Sequence, residues 1–291
     1  MGIVPLLTVF TVLTDFLLAL QSKGSINTTS MYTECLSSYQ PITLDQMGGI
    51  KLMNRTDTKF VTNTAVLGRL LQMAKDDYRV QETDGKRLAD YYTVYFDTPE
   101  SAMYVEHETG HTNRQKLRIR SYVESRMNFL EVKTKNNRDR TKKIRMGITE
   151  FDFSRCTDFD LQAQTYSNFL HEHLKYPPET LTWQIENRFD RITLVNNAMT
   201  ERLTIDTNLR FHNLRTGHFH LMENIVIIEL KRNGLQHSPI LHMLRDLRIK
   251  PNGFSKYCIG TALTNDSMRR NRFKTRLHEY ERILHNNFIT Y

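Results

Sequence analysis

The 291-residue chain reads as α+β, built round an antiparallel sheet that closes on itself or curves strongly and carries charge on its inner face. Two observations predict this. Lys116-Leu-Arg-Ile-Arg120 and Glu131-Val-Lys-Thr-Lys135 place a charged residue at every second position. On a strand, residues i, i+2 and i+4 share a face. Lys116, Arg118 and Arg120 therefore form one cationic row, and Glu131, Lys133 and Lys135 a second, with Leu117, Ile119 and Val132 behind them. The same alternation recurs in Arg55/Asp57/Lys59, Glu186/Arg188, Arg202/Thr204/Asp206 and Glu229/Lys231. For any one strand, a sheet with one solvated face explains the pattern equally well. Across six strands, a curved sheet with a charged interior explains it better. Such cationic rows need something negative to sit against them.

The elements follow in order. Residues 2–20 are strongly apolar, interrupted by Pro5 and Asp15. They lack the positive n-region and the small-residue cleavage site of a signal peptide, and Asp15 is costly in a membrane span. The reading favoured is that translation starts at Met31, with a membrane anchor second. The chain then divides into residues 1–30, stretch and linker, and a single domain over 31–291. From 31 to 54 the pattern is mostly helical, with Thr43 an N-cap and Gly48-Gly49 a stop. Residues 56–62 predict a strand, and Asn63 caps an amphipathic helix over 65–76. Tyr91–Asp97 and Met103–His107 read as strands, followed by the 116–120/131–135 hairpin turning at Ser125–Asn128. Residues 136–145 are a basic loop entering a further strand, and 154–175 look helical. Strands fill 181–195, 200–211 and 222–231, and helices fill 239–247, 255–264 and 267–286.

Lys plus Arg number 40 against 32 acidic residues, a net charge of +8 that favours polyanionic partners without choosing among them. Cys35, Cys156 and Cys258 are widely spaced and odd in number, which argues against a disulfide framework and for a reducing, cytoplasmic setting. The chain has no GxxxxGKS/T loop, no GxGxxG after a strand, no GxSxG and no HExxH. His171-x-His173 lacks a third ligand nearby and reads as surface. The basic rows are not interleaved with aromatic residues, as a nucleic-acid surface would require, so no nucleic-acid partner is expected.

Arg55-Thr-Asp-Thr-Lys-Phe60, Tyr95-Phe-Asp97, the Lys116/Arg118/Arg120 row, Glu131-Val-Lys133, Glu229-Leu-Lys231 and Phe254-Ser-Lys-Tyr257 occur in that order. Together, from about residue 40 to about 265, they resemble the VTC domain, the polyphosphate polymerase branch of the triphosphate tunnel metalloenzymes. The resemblance implies an antiparallel β tunnel of about eight strands, flanked by helices, with a C-terminal helix at one mouth. Its basic lumen would hold a triphosphate with Mn²⁺ or Mg²⁺. Carried over residue by residue, Lys59, Lys116, Arg118, Arg120, Lys133, Arg188, Arg202 and Lys231 would grip phosphate oxygens, with Lys142 or Lys143 and Arg145 extending the cluster. Ser255 and Lys256 would sit at the helix that closes one mouth, and Glu229 would hold the metal. Lys59, Arg118, Arg120 and Glu229 form the expected catalytic set, while Asp97 and Asp206 are expected to be structural. Hydrolytic members resemble ExExK on the first strand, where this chain has Arg55-x-Asp57-x-Lys59. The activity implied is transfer of the terminal phosphoryl group of a nucleoside triphosphate, ATP by expectation, to a growing polyphosphate chain. A triphosphatase of the same fold and a non-catalytic polyphosphate binder are the alternatives. A membrane partner that removes the product fits the resemblance; the residues say nothing of oligomeric state.

Overall fold

The structure, a computed structural model, describes residues 32–48, 55–137, 141–234 and 236–285. The apolar stretch at 2–20, and with it the expected division at residue 30, lies outside the described residues. In chain order the strands are β1 (Gln40–Ile42), β2 (Arg55–Asn63), β3 (Tyr78–Gln81), β4 (Ala89–Asp97), β5 (Arg114–Tyr122), β6 (Met127–Lys135), β7 (Thr141–Ile148), β8 (Thr182–Asn196), β9 (Glu201–Asn213), β10 (Phe219–Met222) and β11 (Ile225–Asn233). The helices are α1 (residues 32–37), α2 (Leu44–Met47), α3 (Thr64–Ala74), α4 (Ala102–Thr109), α5 (Gln164–His173), α6 (Pro239–Asp246), α7 (Lys256–Thr264) and α8 (Lys274–His285).

Eight strands form one antiparallel run in the order β2-β11-β9-β8-β4-β5-β6-β7. The sheet curls without closing, because no ladder joins β2 to β7 among the described residues. Its curvature shows in the electrostatics. Lys133 on β6 and Glu229 on β11 are five strands apart, about 24 Å across a flat sheet, yet the Glu229 carboxylate acts on the Lys133 ammonium.

Apolar packing explains which side faces in. The residues behind the charged rows are buried on the convex face. Phe60, Ile192, Leu203, Ile205, Ile228 and Leu230 pack under Val66, Leu67, Leu70 and Leu71 of α3 and Ile240 and Leu244 of α6. Leu117, Ile119, Leu130 and Val132 pack under Leu161, Leu170 and Leu174 from the segment around α5. Each such side chain contributes about 1.5–3 kcal/mol by leaving water. Facing the other way, the charged rows are therefore confined to the concave side.

One end of the concave side is plugged by α7. Ile185 pairs with Tyr95, and Tyr95 with Arg118, so all three share the inner face. Tyr257 stacks on Tyr95 with ring centroids 5.2 Å apart. A Cβ at Gly260 would meet Ile185 at 2.8 Å and Phe211 more closely still, so only glycine lets the helix lie this near the sheet. The expected helix at one mouth is present.

Local chemistry fixes the remaining ends. Thr43 and Gln46 make the reciprocal capping box at α2, and the Asn63 side chain accepts the Val66 N–H at 3.0 Å at α3. Met103–His107 is a helix, not the expected strand. The buried Asp97 carboxylate accepts the N–H groups of Met103 and Tyr104, each at 2.8 Å, and so satisfies the first turn of α4. Gly110, at φ 79°, ends that helix in the left-handed region.

Candidate functional site

Register places the concave residues in layers, since directly opposed residues of an antiparallel pair share a face. Lys59 opposes Glu229, which opposes Thr204, which opposes Thr193. On the other wall Tyr95 opposes Arg118, Arg118 opposes Glu131, and Glu131 opposes Arg145. Neighbouring layers add Lys231 opposite Arg202, and Lys116 opposite Lys133, which opposes Lys143. Of the sequence-predicted residues, Lys59, Lys116, Arg118, Arg120, Lys133, Arg202, Glu229 and Lys231 all lie on this face.

Three buried or half-buried carboxylates on this face, beside the exposed Asp57 opposite Lys231, are each held by two cations. Glu131 is fully buried and accepts from Arg118 Nε at 2.7 Å, Arg118 Nη2 at 2.5 Å and Lys143 Nζ at 3.0 Å. Asp206 accepts from Arg191 Nε at 2.6 Å and Arg191 Nη2 at 2.8 Å, and also from Lys256. Glu229 bonds Lys59 through one oxygen and Lys231 through the other. Burial alone would raise all three carboxyl pKa values. The paired cations overcome it and hold each below the usual carboxylate range.

The cations beyond these pairs are crowded. Arg118 chiefly, then burial and Arg120, push the Lys133 ammonium well below the ordinary lysine range. Burial, with Arg118 adding repulsion, lowers Lys116. Burial and the charges of Arg118 and Arg191 lower Arg120. Burial takes both Lys231 and Lys256 down to about 8 despite their carboxylate partners. On the same face the hydroxyls of Thr93 and Thr204 and the Nε of Arg120 are buried without a hydrogen-bond partner. Buried polar groups are nearly always satisfied, so these donors point to a ligand rich in acceptors.

Ser255 and Lys256 join the site from α7. Ser255 caps that helix by accepting the Cys258 N–H at 3.2 Å, and it accepts from Lys116 Nζ at 2.9 Å. The N-terminus of α7 thus opens onto the cationic face.

Two expected residues stand elsewhere. Lys142 opposes Thr134 and is exposed on the outer face of β7; its neighbours Lys143 and Arg145 take the inner positions. Arg188 opposes Tyr92 on the outer face, with its guanidinium over the Tyr92 ring at 5.3 Å and the Phe153 ring at 5.5 Å. The inward residue of β8 is Arg191, which the sequence reading missed. It is in phase with Phe189 and Thr193, and Asp206 across the ladder marks it, since a buried carboxylate needs a cation. Asp97 has the structural role expected, while Asp206 belongs to the charged face.

The donor set suits a divalent cation that arrives with a phosphate ligand. Among the described residues no group of three or more His, Cys, Asp or Glu side chains could hold a metal ion. Glu229 alone of the three carboxylates keeps appreciable side-chain exposure, 22% against 0% for Glu131 and 5% for Asp206. One accessible carboxylate with phosphate oxygens and water is a usual Mg²⁺ environment. His171 and His173 lie on α5, on the convex side. No helix among the described residues is long and apolar enough to cross a membrane.

The model of the VTC domain family matches residues 54–265. No curated protein matches the chain. Among solved structures, a provisionally assigned adenylate cyclase of Bacillus halodurans is 13% identical, covering 70% of this chain and 96% of its own, with a TM-score of 0.46. One from Vibrio parahaemolyticus is 12% identical over 72% of this chain and 99% of its own, TM-score 0.41. A provisionally assigned adenylyl cyclase of Hippeastrum, described as having a dominant triphosphatase activity, is 13% identical over 73% and 97%, TM-score 0.44. At these scores the likeness is partial, and the family match carries the assignment.

Proposed function

The chain belongs to the VTC domain family, and from that premise we propose that it is a polyphosphate polymerase. It moves the terminal phosphoryl group of a nucleoside triphosphate, ATP as the expected donor, to the end of a polyphosphate chain held against the concave face. The observation that carries this reading is the unrelieved positive charge at the centre of that face. Among the described residues Lys133 has no carboxylate within ion-pair distance and is depressed by its neighbours, and buried donors of Arg120, Thr93 and Thr204 lack acceptors there. A run of phosphates offers negative charge and acceptor oxygens at once.

In the proposed reaction a terminal oxygen of the acceptor chain attacks the γ-phosphorus, and the bond from that phosphorus to the β–γ bridging oxygen breaks. The leaving nucleoside diphosphate keeps the bridging oxygen. Because the nucleophile is already an anionic phosphate oxygen, no Ser, His or Cys is needed. The protein's task is alignment and neutralisation. Arg118 and Arg120 present planar forks to phosphate oxygens, and Lys59, Lys116, Lys133 and Lys231 act as point charges. Lys256 and the first N–H groups of α7 would receive phosphate at the plugged end. Mg²⁺ or Mn²⁺, held by Glu229 together with phosphate oxygens, would supply further charge neutralisation.

Transfer to phosphate is favoured over transfer to water by the state of the carboxylates. A general base works best with a pKa near the working pH, whereas Glu131, Asp206 and Glu229 are all held low by two cations each. The test is incubation of the full chain with ATP and Mn²⁺, products being resolved on a gel stained for polyphosphate. A ladder that disappears in Glu229→Gln and Lys133→Ala supports the polymerase. Orthophosphate without a ladder makes the protein a triphosphatase. Tight triphosphate binding with neither product makes it a binding module.

A further inference from the structure

A second basic site lies beside the charged rows, at the edge of β2 that no described strand pairs. There the segment after α6 runs along the strand: the Asn252 N–H donates to the Lys59 carbonyl at 2.8 Å, and Pro251 bridges to Phe60. Between this segment and α8 opens a cleft of about 690 Å³. Arg248 and Lys250 line one side, and Arg272, Arg276 and Arg282 the other. Arg276, Glu279 and Arg282 follow at three-residue spacing along one face of α8, and Arg272 lies in the turn just before the helix, with its guanidinium beside Gly110. Glu279 is the single carboxylate among the described lining residues, and it accepts from Asn252 Nδ2 at 3.0 Å.

The α8 part of the lining alternates in sign, Arg276, Glu279, Arg282, and the excess charge of the cleft comes from Arg248, Lys250 and Arg272 beside it, five cations against one carboxylate among the described lining residues. The exposed cations of the cleft are all found outside the ion pairs of the described residues. Among the described lining residues none is aromatic, so bases would find no ring there to stack on. Guanidinium forks are suited to bidentate phosphate contact. Val61 and Asn63, which follow Lys59 along the inward row of β2, also line it. The cleft therefore adjoins the strand that carries a lumen lysine, at the seam where the sheet does not close.

We infer that this cleft is a second phosphate site, which holds a run of inorganic polyphosphate outside the tunnel. The identity of its ligand rests on the polymerase reading. Its consequence is length dependence: a chain long enough to occupy both sites binds more tightly than a triphosphate, because the second contact is intramolecular.

The experiment uses the full chain and the triple variant Arg272→Gln/Arg276→Gln/Arg282→Gln. Binding of tripolyphosphate and of long-chain polyphosphate is measured across a salt series, with the charge-preserving triple Arg→Lys variant beside it. In the Gln variant, long-chain affinity should fall about tenfold or more, and the log–log salt slope should become shallower by about 2, as for loss of three phosphate contacts. Tripolyphosphate affinity should stay at the wild-type value, and the Lys variant should keep the wild-type slope. Unchanged long-chain affinity overturns the inference. So does an equal loss for tripolyphosphate, which would merge the cleft with the tunnel, or an equal loss in the Gln and Lys variants, which would mark a structural defect. Single-stranded RNA competing equally well per phosphate also overturns it, in favour of a nucleic-acid surface. A wild-type protein that makes no ladder defeats the polymerase reading alone, because the difference between long and short ligands still reports on the cleft.

Discussion

Replacing Lys133 by Met should make the free protein more stable and a poorer phosphate binder. Among the described residues the ammonium has no carboxylate within ion-pair distance, and it is driven down by Arg118, burial and Arg120. At an effective dielectric constant of about 20, like charges about 8 Å apart repel by about 2 kcal/mol. Lys133 is half-buried, and water in the lumen screens part of this, leaving a gain of about 1 kcal/mol on removal. For a chain of this size that raises Tm by about 2–4 °C. Binding moves the other way: a charge-assisted contact with phosphate is worth about 1.5–3 kcal/mol, so tripolyphosphate affinity should drop about 10- to 150-fold. Thermal melts with and without tripolyphosphate, together with titration calorimetry, read both quantities. A variant that melts below wild type and binds as tightly refutes the reasoning, because the crowding of cations would then not be what the ligand relieves.

Further outcomes follow from the pairs and packing. Glu131→Gln leaves Arg118 and Lys143 without their buried partner and should cost about 3–5 kcal/mol in chemical denaturation, part of it recovered by saturating tripolyphosphate. Lys256, lowered to about 8 by burial, should take up a proton when phosphate binds at pH 8–9; calorimetry in buffers of different ionisation enthalpy reads this, and affinity should fall as pH rises through that range. In the unliganded protein the sign reverses. Between about 8 and the ordinary lysine value near 10.4, the unfolded chain holds a proton that native Lys256 has lost, so this group makes stability rise with pH. Gly260→Ala puts a Cβ against Ile185 and Phe211 and should cost about 1–3 kcal/mol by overpacking. It would also lift Lys256 and Ser255 from the lumen and weaken tripolyphosphate binding; wild-type binding at reduced stability would show that α7 does not position them.

The alternation of charge with apolar residues was enough to read the curled sheet, because a strand has a period of two whatever its neighbours are. Lys116, Arg118 and Arg120 in β5, and Glu229 and Lys231 in β11, declared their common faces this way. Capping was legible for the same local reason: Thr43 and Asn63 each stand where a helix needs an acceptor for its first N–H groups. Period two does not say which face turns inward. Arg188 and Arg191 each belong to a consistent row of β8, and the ladder with β4 puts Arg191 inside and Arg188 against Tyr92. Lys142 and Lys143 differ by one residue, hence by one face, and pairing with β6 chooses Lys143. Likewise Met103–His107 has the side chains of a strand, but the Asp97 carboxylate reaches their backbone N–H groups and makes them a helix.

By itself the sequence determined the strands, their charged rows and the kind of ligand such rows require, since these depend on residues a few positions apart. Only the tertiary structure decided which cations meet, that Glu131, Asp206 and Glu229 are each held by two of them, and that Lys133 is left without a carboxylate ion pair among the described residues. Those facts depend on register and on the curvature that brings β6 towards β11. Both are set by packing of the convex face under α3, α5 and α6, among residues far apart in the chain.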